Sequence, residues 1–167
     1  QIAQIFYPDR AGDKNPFFTQ QAQKLFFGLT LLLLETKHPR CTMAEVFRQG
    51  SGYDKPLREH LVEMLDLHKN LSRQCRDSLN RMLSNPDETF GNIKASFDAP
   101  LLMFANPLVD AATSRSDFKL SDVRRKRVSI YFGITPNRLV QAERLTNLFF
   151  TQAIALNTEV LPENDKT

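Results

Sequence analysis

The sequence predicts a mainly α-helical chain that changes, near its C-terminal end, to a strand followed by a helix. Over most of residues 16–104, apolar side chains recur at spacings of three and four, which places them on one face of a helix. Over residues 128–134 the apolar spacing becomes two, as in a strand with one buried face. A helical pattern returns over residues 136–156, and a strand followed by a helix is the repeating unit of α/β sheets. We therefore expect an all-α domain followed by part of an α/β domain.

The first long helix is expected to begin at Pro16 and to end near Lys37. Asn15 is a residue type that caps helix N-termini, and proline is tolerated at the next position because its missing N–H would have no partner there. The ten residues from Leu25 to Leu34 are apolar apart from one glycine and one threonine. A membrane-spanning helix needs about twenty such residues, so this run predicts a buried core helix. The apolar stripe comprises Phe17, Phe18, Ala22, Leu25, Phe26, Phe27, Leu29, Leu32 and Leu33.

Two helical segments follow. Thr42 and Glu45 form a capping-box pattern, in which a hydroxyl and a carboxylate bind the free N–H groups of the first turn. This helix should end near Gln49, at the glycines that follow it. Asp54 is the expected N-cap of the next segment, which should break at Asn70. The apolar face of that segment contains Leu57, Leu61, Met64, Leu65, His68, Leu71, Cys75, Leu79 and Met82.

A further helix is expected after Asn85-Pro86, which repeats the combination of an N-cap residue and a proline. A kink or interruption is expected at Pro100, because proline lacks the N–H that continues a helix. Asn106-Pro107 predicts another turn or short helix. The apolar residues of this region are Phe90, Ile93, Phe97, Leu101 and Phe104.

The two ends of the chain give weaker patterns. Residues 2–7 predict a second, weaker strand, residues 8–14 a polar loop and residues 158–167 a polar linker. The chain begins without an initiator methionine, as an excised fragment would, and shows no signal peptide. We therefore expect a piece of a longer protein, with any membrane anchor outside it.

Positive charge is concentrated in one segment, although the net charge of the chain is only +3. Residues 113–138 carry seven basic and two acidic side chains, a balance of +5, so the remainder sums to −2. Such a segment suits contacts with phosphate groups or with an acidic partner. The alternative is a solvated turn before the strand. The candidate binding residues are Arg115, Lys119, Arg124, Arg125, Lys126 and Arg127.

Arg115 lies within a run of short polar side chains, Thr113-Ser114-Arg115-Ser116-Asp117. Such side chains cap backbone N–H groups, so the run predicts a capped turn. The functional interpretation is that this turn directs Arg115 toward a phosphate or a neighbouring subunit. Arginine suits that role because its planar guanidinium binds two oxygens at once.

No catalytic or metal site can be assembled from the sequence. A phosphate-binding loop needs two glycines five positions apart before a lysine, and the six glycines contain no such pair. His60 and His68 lie eight residues apart, which is not the spacing of zinc ligands, so surface or boundary histidines are expected. Cys41 and Cys75 are too few for a disulfide framework, and Cys75 is expected to be a structural thiol.

The order of these segments resembles that of the TraG/TraD-like type IV secretion coupling proteins, the ring ATPases of bacterial conjugation. The resemblance spans residues 15–157. The motifs that carry it are Asn15-Pro16-Phe17-Phe18, Thr42-Met43-Ala44-Glu45-Val46, Ala112-Thr113-Ser114-Arg115-Ser116-Asp117-Phe118 and the passage from Val128 to Leu139. In that family an all-α domain interrupts an α/β nucleotide-binding domain.

This resemblance implies a division of the chain into four parts. Residues 15–122 would form the all-α insertion domain, and residues 123–157 would be the strand-helix remnant of the nucleotide-binding domain. Residues 1–14 would be a linker or strand remnant, and residues 158–167 a polar linker. ATP and Mg are implied for the parent protein, whose phosphate-binding and magnesium-binding motifs are not in this chain. For the fragment itself we expect no cofactor, no metal and no enzymatic activity.

The function that the resemblance implies is substrate recognition during conjugative transfer. The expected partners are single-stranded DNA, bound weakly and without sequence preference, and relaxase, relaxosome accessory proteins or secreted effectors. The parent would be a hexameric ring on the cytoplasmic side of the bacterial inner membrane, and the fragment would be soluble. The alternative is a structural or protein-docking helical module without direct nucleic-acid contact. A free-standing enzyme is a third possibility, against which the missing catalytic residues argue.

Overall fold

All regular secondary structure in the described part of the chain is helical, and it falls into two units. The computed structural model describes residues 2–9, 16–131, 133–136 and 139–159. The first unit runs from Ala3 to Arg115, and the second begins at Ser116. The described residues contain no strand, so the mainly α fold class is confirmed.

The helices follow one another along the chain in this order. Up to residue 115, the α-helices are α1 (Ile2–Phe6), α2 (Pro16–Glu35), α3 (Met43–Ser51), α4 (Leu57–Leu67), α5 (Arg73–Leu83), α6 (Asp87–Leu101) and α7 (Pro107–Thr113). A short 3₁₀ helix, Leu102–Ala105, connects α6 to α7. In the second unit, a 3₁₀ helix at Leu120–Arg124 is followed by α8 (Leu139–Thr158).

Helix α2 is the centre of the first unit, where it contacts α3, α5 and α6. Its buried side is the predicted stripe, and the ten-residue run that begins at Leu25 contributes most of it. Phe17 and Phe27, which were expected to widen the stripe, are instead 43% and 45% exposed. The neighbouring helices cover only part of the circumference of α2, so its opposite face stays open.

Glycines allow two close approaches between helices of the first unit. A Cβ atom on Gly28 of α2 would stand 2.9 Å from Ser78 Cβ of α5, and one on Gly50 would overlap the ring of Phe97. Gly50 lies inside α3, so of the two glycines expected to end this helix only Gly52 does so. The helix ends at Gly52, whose φ of 84° is the left-handed conformation common after helix C-termini.

The N-terminal residues form a helix, not the predicted strand. Phe6 and Tyr7, at the end of α1, are 1% and 3% exposed. The hydroxyl of Tyr7 donates a hydrogen bond to the carbonyl of Phe97 at 2.9 Å. Two adjacent buried side chains exclude a strand with one buried face, because successive residues of a strand point to opposite sides. Phe6 and Tyr7 are therefore part of the core of the first unit.

The predicted N-cap at Thr42 and the short helix predicted from Asn106-Pro107 are confirmed. The N–H of Glu45 donates to Thr42 Oγ1 at 3.2 Å, and the N–H of Leu108 donates to Asn106 Oδ1 at 2.9 Å. The predicted break near residue 70 is also confirmed, since α4 ends before it and α5 begins after it. The predicted cap at Asn15 lies outside the described residues.

Two other predicted N-caps are wrong. Helix α4 follows Pro56 and has no side-chain N-cap, so Asp54 does not have that role. The side-chain amide of Asn85 donates to the carbonyls of Arg81 and Met82 at 2.7 and 3.1 Å. Asn85 therefore completes the end of α5 and does not cap the start of α6.

The interruption at Pro100 takes a milder form than expected. Helix α6 continues through this residue for one more position, and only then changes to the 3₁₀ helix at Leu102. A proline near the last turn removes one intrahelical hydrogen bond, which a tighter 3₁₀ turn accommodates.

The predicted strand at 128–134 is not present in the described residues. Residues 128–131 and 133–134 have no regular structure, and Phe132 lies outside the described residues. A strand needs a neighbour to bind its N–H and C=O groups, and no described segment provides one. The helix predicted to follow is confirmed as α8. Of the predicted linker at 158–167, residues 160–167 lie outside the described residues.

Candidate nucleic-acid or partner interface

The predicted basic residues are all exposed, but they belong to different units. Arg115 is the last residue of the first unit. In the second unit, Lys119 immediately precedes the 3₁₀ helix Leu120–Arg124, and Arg125, Lys126 and Arg127 follow it. The structure therefore places five of the six predicted residues on and around one helical turn. We call residues 119–127 the basic segment.

Asn157, near the end of α8, holds the basic segment in place. Its side-chain amide donates to the carbonyl of Leu120 at 2.9 Å, and its Oδ1 accepts from the N–H of Arg124 at 3.2 Å. The guanidinium of Arg124 also donates to the backbone carbonyl of Asn157 at 3.1 Å. Sequence reasoning missed Asn157, because an asparagine near a helix end gives no sign of which distant backbone groups it binds.

Two of the predicted binding residues are engaged within the protein. Arg124 lies at the C-terminus of α8, where a positive charge is favourable because the helix carbonyls concentrate negative charge there. Lys126 forms an ion pair with Asp122 at 2.7 Å. The Lys126 ammonium, with Lys119 and Arg125 nearby, holds the pKa of the Asp122 carboxyl below its usual value. Arg124 and Lys126 therefore support the structure of the segment.

The remaining basic side chains of the segment form no such bonds. Within the described part of the chain, Lys119, Arg125 and Arg127 have neither an ion pair nor a side-chain hydrogen bond. Phe118 and Tyr131 flank the segment and are 47% and 93% exposed. Exposed cations next to aromatic rings are the composition that single-stranded nucleic acids bind.

The polar run before the basic segment differs from the predicted capped turn. The hydroxyl of Thr113 donates to the carbonyl of Val109 at 2.8 Å, and that of Ser114 donates to the carbonyl of Asp110 at 2.6 Å. Both hydroxyls therefore donate hydrogen bonds to carbonyls in the last turn of α7 and do not accept them from backbone N–H groups. This arrangement leaves Arg115 exposed directly after the end of α7.

A buried carboxylate on α3 organises a polar cluster that sequence reasoning also missed. Glu45 is 3% exposed, accepts from Arg48 Nε at 2.9 Å and accepts from the hydroxyl of Tyr53. Burial by itself raises the pKa of Glu45, but the hydrogen bonds from Tyr53 and Arg48 outweigh it, so the pKa lies below its usual value. Burial and the Glu45 carboxylate raise the pKa of Tyr53 to about 12. Glu45 therefore stays ionised inside the fold.

Arg48 extends this cluster from α3 to α7. Its Nη1 donates to Asp110 Oδ2 at 2.9 Å. The bond to Asp110, together with the one to Glu45, raises the pKa of Arg48 and lowers that of Asp110. A single guanidinium thus links two carboxylates of different helices.

His60 is buried, contrary to the expectation of a surface or boundary histidine. It is 6% exposed, and its Nε2–H donates to Gln49 Oε1 at 2.7 Å. Burial lowers the pKa of His60, because the charged imidazolium loses its hydration. Its spacing of three from Leu57 and four from Met64 places it on the apolar side of α4, and this was the signal available in the sequence.

Cys75 is confirmed as a buried structural thiol. It is 0% exposed, and its Sγ lies 3.5 Å from the carbonyl of Gly28. Burial and the nearby Glu35 carboxylate raise the pKa of Cys75 to about 11, so the reactive thiolate is scarce at neutral pH. In the described residues, no group of three or more histidine, cysteine, aspartate or glutamate side chains is placed to hold a metal ion.

Comparison with known proteins assigns the chain to a protein family. It belongs to the type IV secretory system conjugative DNA transfer family, whose family model matches residues 1–167. The family resemblance found in the sequence is therefore confirmed. No helix in the described ranges has both the length and the apolar character needed to cross a membrane.

Individual relatives carry the name Protein VirD4. The chain is 30% identical to the protein of Agrobacterium fabrum (strain C58 / ATCC 33970) over 151 residues, which cover 89% of this chain and 22% of that protein. It is 32% identical to the protein of Rhizobium radiobacter over 151 residues, which cover 89% of this chain and 21% of that protein. The chain thus spans about a fifth of the length of these relatives.

Proposed function

We propose that this chain recognises substrates for a type IV secretion coupling protein. Residues 15–122 would form its all-α domain, which would contact relaxase, relaxosome accessory proteins or secreted effectors. The basic segment would contact single-stranded DNA. Membership of the conjugative DNA transfer family supports this proposal. The observation that carries the DNA contact is the exposure of Lys119, Arg125 and Arg127, which have no ion pair and no side-chain hydrogen bond in the described residues.

The proposed DNA contact is electrostatic and does not read sequence. Lys119, Arg125 and Arg127 would bind phosphates, and Arg115 would add a fourth cation from the adjacent polar run. Phosphate contacts carry no base information, and their strength falls steeply with salt. We therefore expect weak binding that is independent of sequence.

The rest of the parent protein would supply the motor. Residues 123–157 would complete a nucleotide-binding domain whose sheet lies elsewhere in that protein. In this setting, exposed apolar side chains of α8, such as Phe150 and Ile154 at 53% and 61%, would be covered. The parent would be a hexameric ring ATPase at the cytoplasmic side of the bacterial inner membrane. ATP and Mg would bind residues outside this chain, since the described residues offer neither a phosphate loop nor a metal cluster.

The DNA contact is tested by reversing two charges, in the variant Arg125→Glu/Arg127→Glu. At low ionic strength, its affinity for a fluorescent oligothymidine, measured by anisotropy, should fall about tenfold or more, because two phosphate contacts become repulsive. The slope of log K against log salt should become shallower by about 1.4, since each single-strand phosphate contact contributes about 0.7.

A matched control reverses two exposed arginines of α5, in the variant Arg73→Glu/Arg81→Glu. This variant has the same net charge but leaves the basic segment unchanged, so its affinity should stay close to that of the unmodified protein. Equal losses in both variants would indicate that only net charge matters. Unchanged affinity in Arg125→Glu/Arg127→Glu would exclude the basic segment as the DNA site.

A purely structural or protein-docking role is the second candidate, and one observation favours it. Arg124 and Lys126 are already engaged by Asn157 and Asp122, so part of the basic segment serves the fold. On this alternative, the domain retains purified relaxase or accessory proteins in a pull-down and shows no salt-sensitive binding to oligothymidine. Binding of oligothymidine that depends on Arg125 and Arg127 would favour the first candidate.

A further inference from the structure

Helix α7 lies at the surface of the first unit. None of its residues is buried, and Leu108 is 74% exposed. It contacts α3 and the 3₁₀ helix that precedes it. A seven-residue helix is too short to persist by itself in water, so contacts outside the helix must hold it.

One of these contacts is the ion pair between Arg48 and Asp110. Arg48 Nη1 of α3 donates to Asp110 Oδ2 of α7 at 2.9 Å. No other side-chain hydrogen bond in the described residues joins α7 to another α-helix. Asp110 also accepts from the hydroxyl of Ser114, through its carbonyl at 2.6 Å and through Oδ1 at 3.1 Å. The ion pair thus holds the last turn of α7 and the residues that precede Arg115.

The same ion pair can open without leaving a charge buried and unpaired. Arg48 would keep its bond to the buried Glu45, and Asp110, whose side chain is 23% exposed, would become fully hydrated. Arg48 Nη2 is buried and has no acceptor in the described residues, so opening would also give that N–H group access to water. These features distinguish the pair from a structural ion pair that must stay closed.

We propose that Arg48 and Asp110 form a releasable latch that sets the length of the connection between the two units. With the latch closed, α7 is a helix about 10 Å long at 1.5 Å per residue. With the latch open, residues 107–115 lose the helix and become a connecting segment that can extend to about 30 Å. The latch does not depend on whether the basic segment binds DNA, so the two proposals can fail separately.

The test is Asp110→Asn in the full chain, followed by hydrogen–deuterium exchange at low and at high salt. Asparagine keeps the size and the hydrogen-bonding oxygen but removes the charge. The amides of residues 110–114 should exchange about fivefold faster at low salt than in the unmodified protein. High salt should speed exchange of these amides in the unmodified protein and change little in Asp110→Asn, since the screened charge pair is already absent.

Asp87→Asn is the matched control. Asp87 pairs with Arg58 at 3.0 Å from a fully exposed position, and in the described residues this ion pair involves no residue of α7. This variant should leave the exchange of residues 110–114 unchanged. Two results overturn the latch: equal exchange of these amides in Asp110→Asn and the unmodified protein, or faster exchange of α2 and α5 as well, which would mean that Asp110 supports the whole unit.

Discussion

At the scale of single residues, burial separates side chains that share a type. His60 is buried against Gln49, whereas His68 lies half-buried at the end of α4. The sequence placed both on one helical segment but did not show that the helix ends between them. Position on the helix face could be predicted, while the depth of burial depended on α3 packing against α4.

The lowered pKa of His60 predicts a loss of stability in acid. The unfolded state takes up a proton as the pH falls through the usual value of 6.5, and the folded state takes it up only at lower pH. The stability that His60 contributes is therefore complete above pH 6.5 and is lost as the pH falls toward the folded-state pKa. His60→Gln should flatten this dependence, whose slope cannot exceed about 1.4 kcal/mol per pH unit.

The measurement is the free energy of unfolding in urea at several values from pH 8 to pH 5. At pH 8, His60→Gln should lose about 1 kcal/mol, because its hydrogen bond to Gln49 is replaced imperfectly. His68→Gln is the control and should keep the pH profile of the unmodified protein. If the acid slope persists in His60→Gln, another group is responsible for it.

At the scale of secondary-structure elements, the sequence indicated which residues bind backbone groups at a helix end. It did not always indicate which of two neighbouring helices they bind. Thr42 and Asn106 cap the helices predicted for them, but Asn85 binds the helix before it. The end of α5 and the start of α6 lie only a few residues apart, so local sequence cannot decide between them. Asn157 is the extreme case, since its partners are 37 and 33 residues away in the chain.

Asn157→Ala should detach the basic segment from α8. It removes the side-chain hydrogen bonds to Leu120 and Arg124, each worth about 1 kcal/mol. Exchange of the amides in residues 122–126 should become about fivefold faster or more, as measured by hydrogen–deuterium exchange. Asn147→Ala, at an exposed position of the same helix, should leave these amides unchanged. Equal effects of both changes would show that α8 itself, and not Asn157, controls the segment.

At the scale of the whole molecule, the order of the helices could be predicted from the sequence. The strand predicted at residues 128–134 is not present in the described residues. Helices make their hydrogen bonds within one segment, so apolar spacing and caps are enough to place α2 to α7. The pattern at 128–134 requires a neighbouring strand, which the described residues do not contain. The basic segment was likewise evident from charge alone. Separating the cations that bind Asp122 and Asn157 from those without an ion pair or side-chain hydrogen bond required the structure.

Because the chain divides into two units, we predict that a fragment of residues 1–115 folds by itself. All buried apolar side chains of the described residues lie between Phe6 and Phe104. The fragment should therefore unfold cooperatively, with a midpoint close to that of the same unit in the full chain. A fragment of residues 16–115, which lacks Phe6 and Tyr7, should be less stable by about 3 kcal/mol or more.

Urea unfolding followed by far-UV circular dichroism compares the two fragments. If residues 1–115 unfold without cooperativity, the first unit depends on the residues that follow it. Equal stability of the two fragments would contradict the structural position of α1. A fragment of residues 1–122 tests the boundary predicted from the sequence in the same way.

The position of Tyr7 gives the protein a built-in optical reporter. The sequence has no tryptophan and three tyrosines, and Tyr53 and Tyr131 are 50% and 93% exposed. Tyr7 instead stacks on Phe97, with ring centroids 6.2 Å apart, in the rigid surroundings that give aromatic side chains a near-UV dichroism signal. The tyrosine band therefore contains a contribution from docked Tyr7, beside that of Tyr53, whose hydroxyl binds Glu45, and it needs no added label.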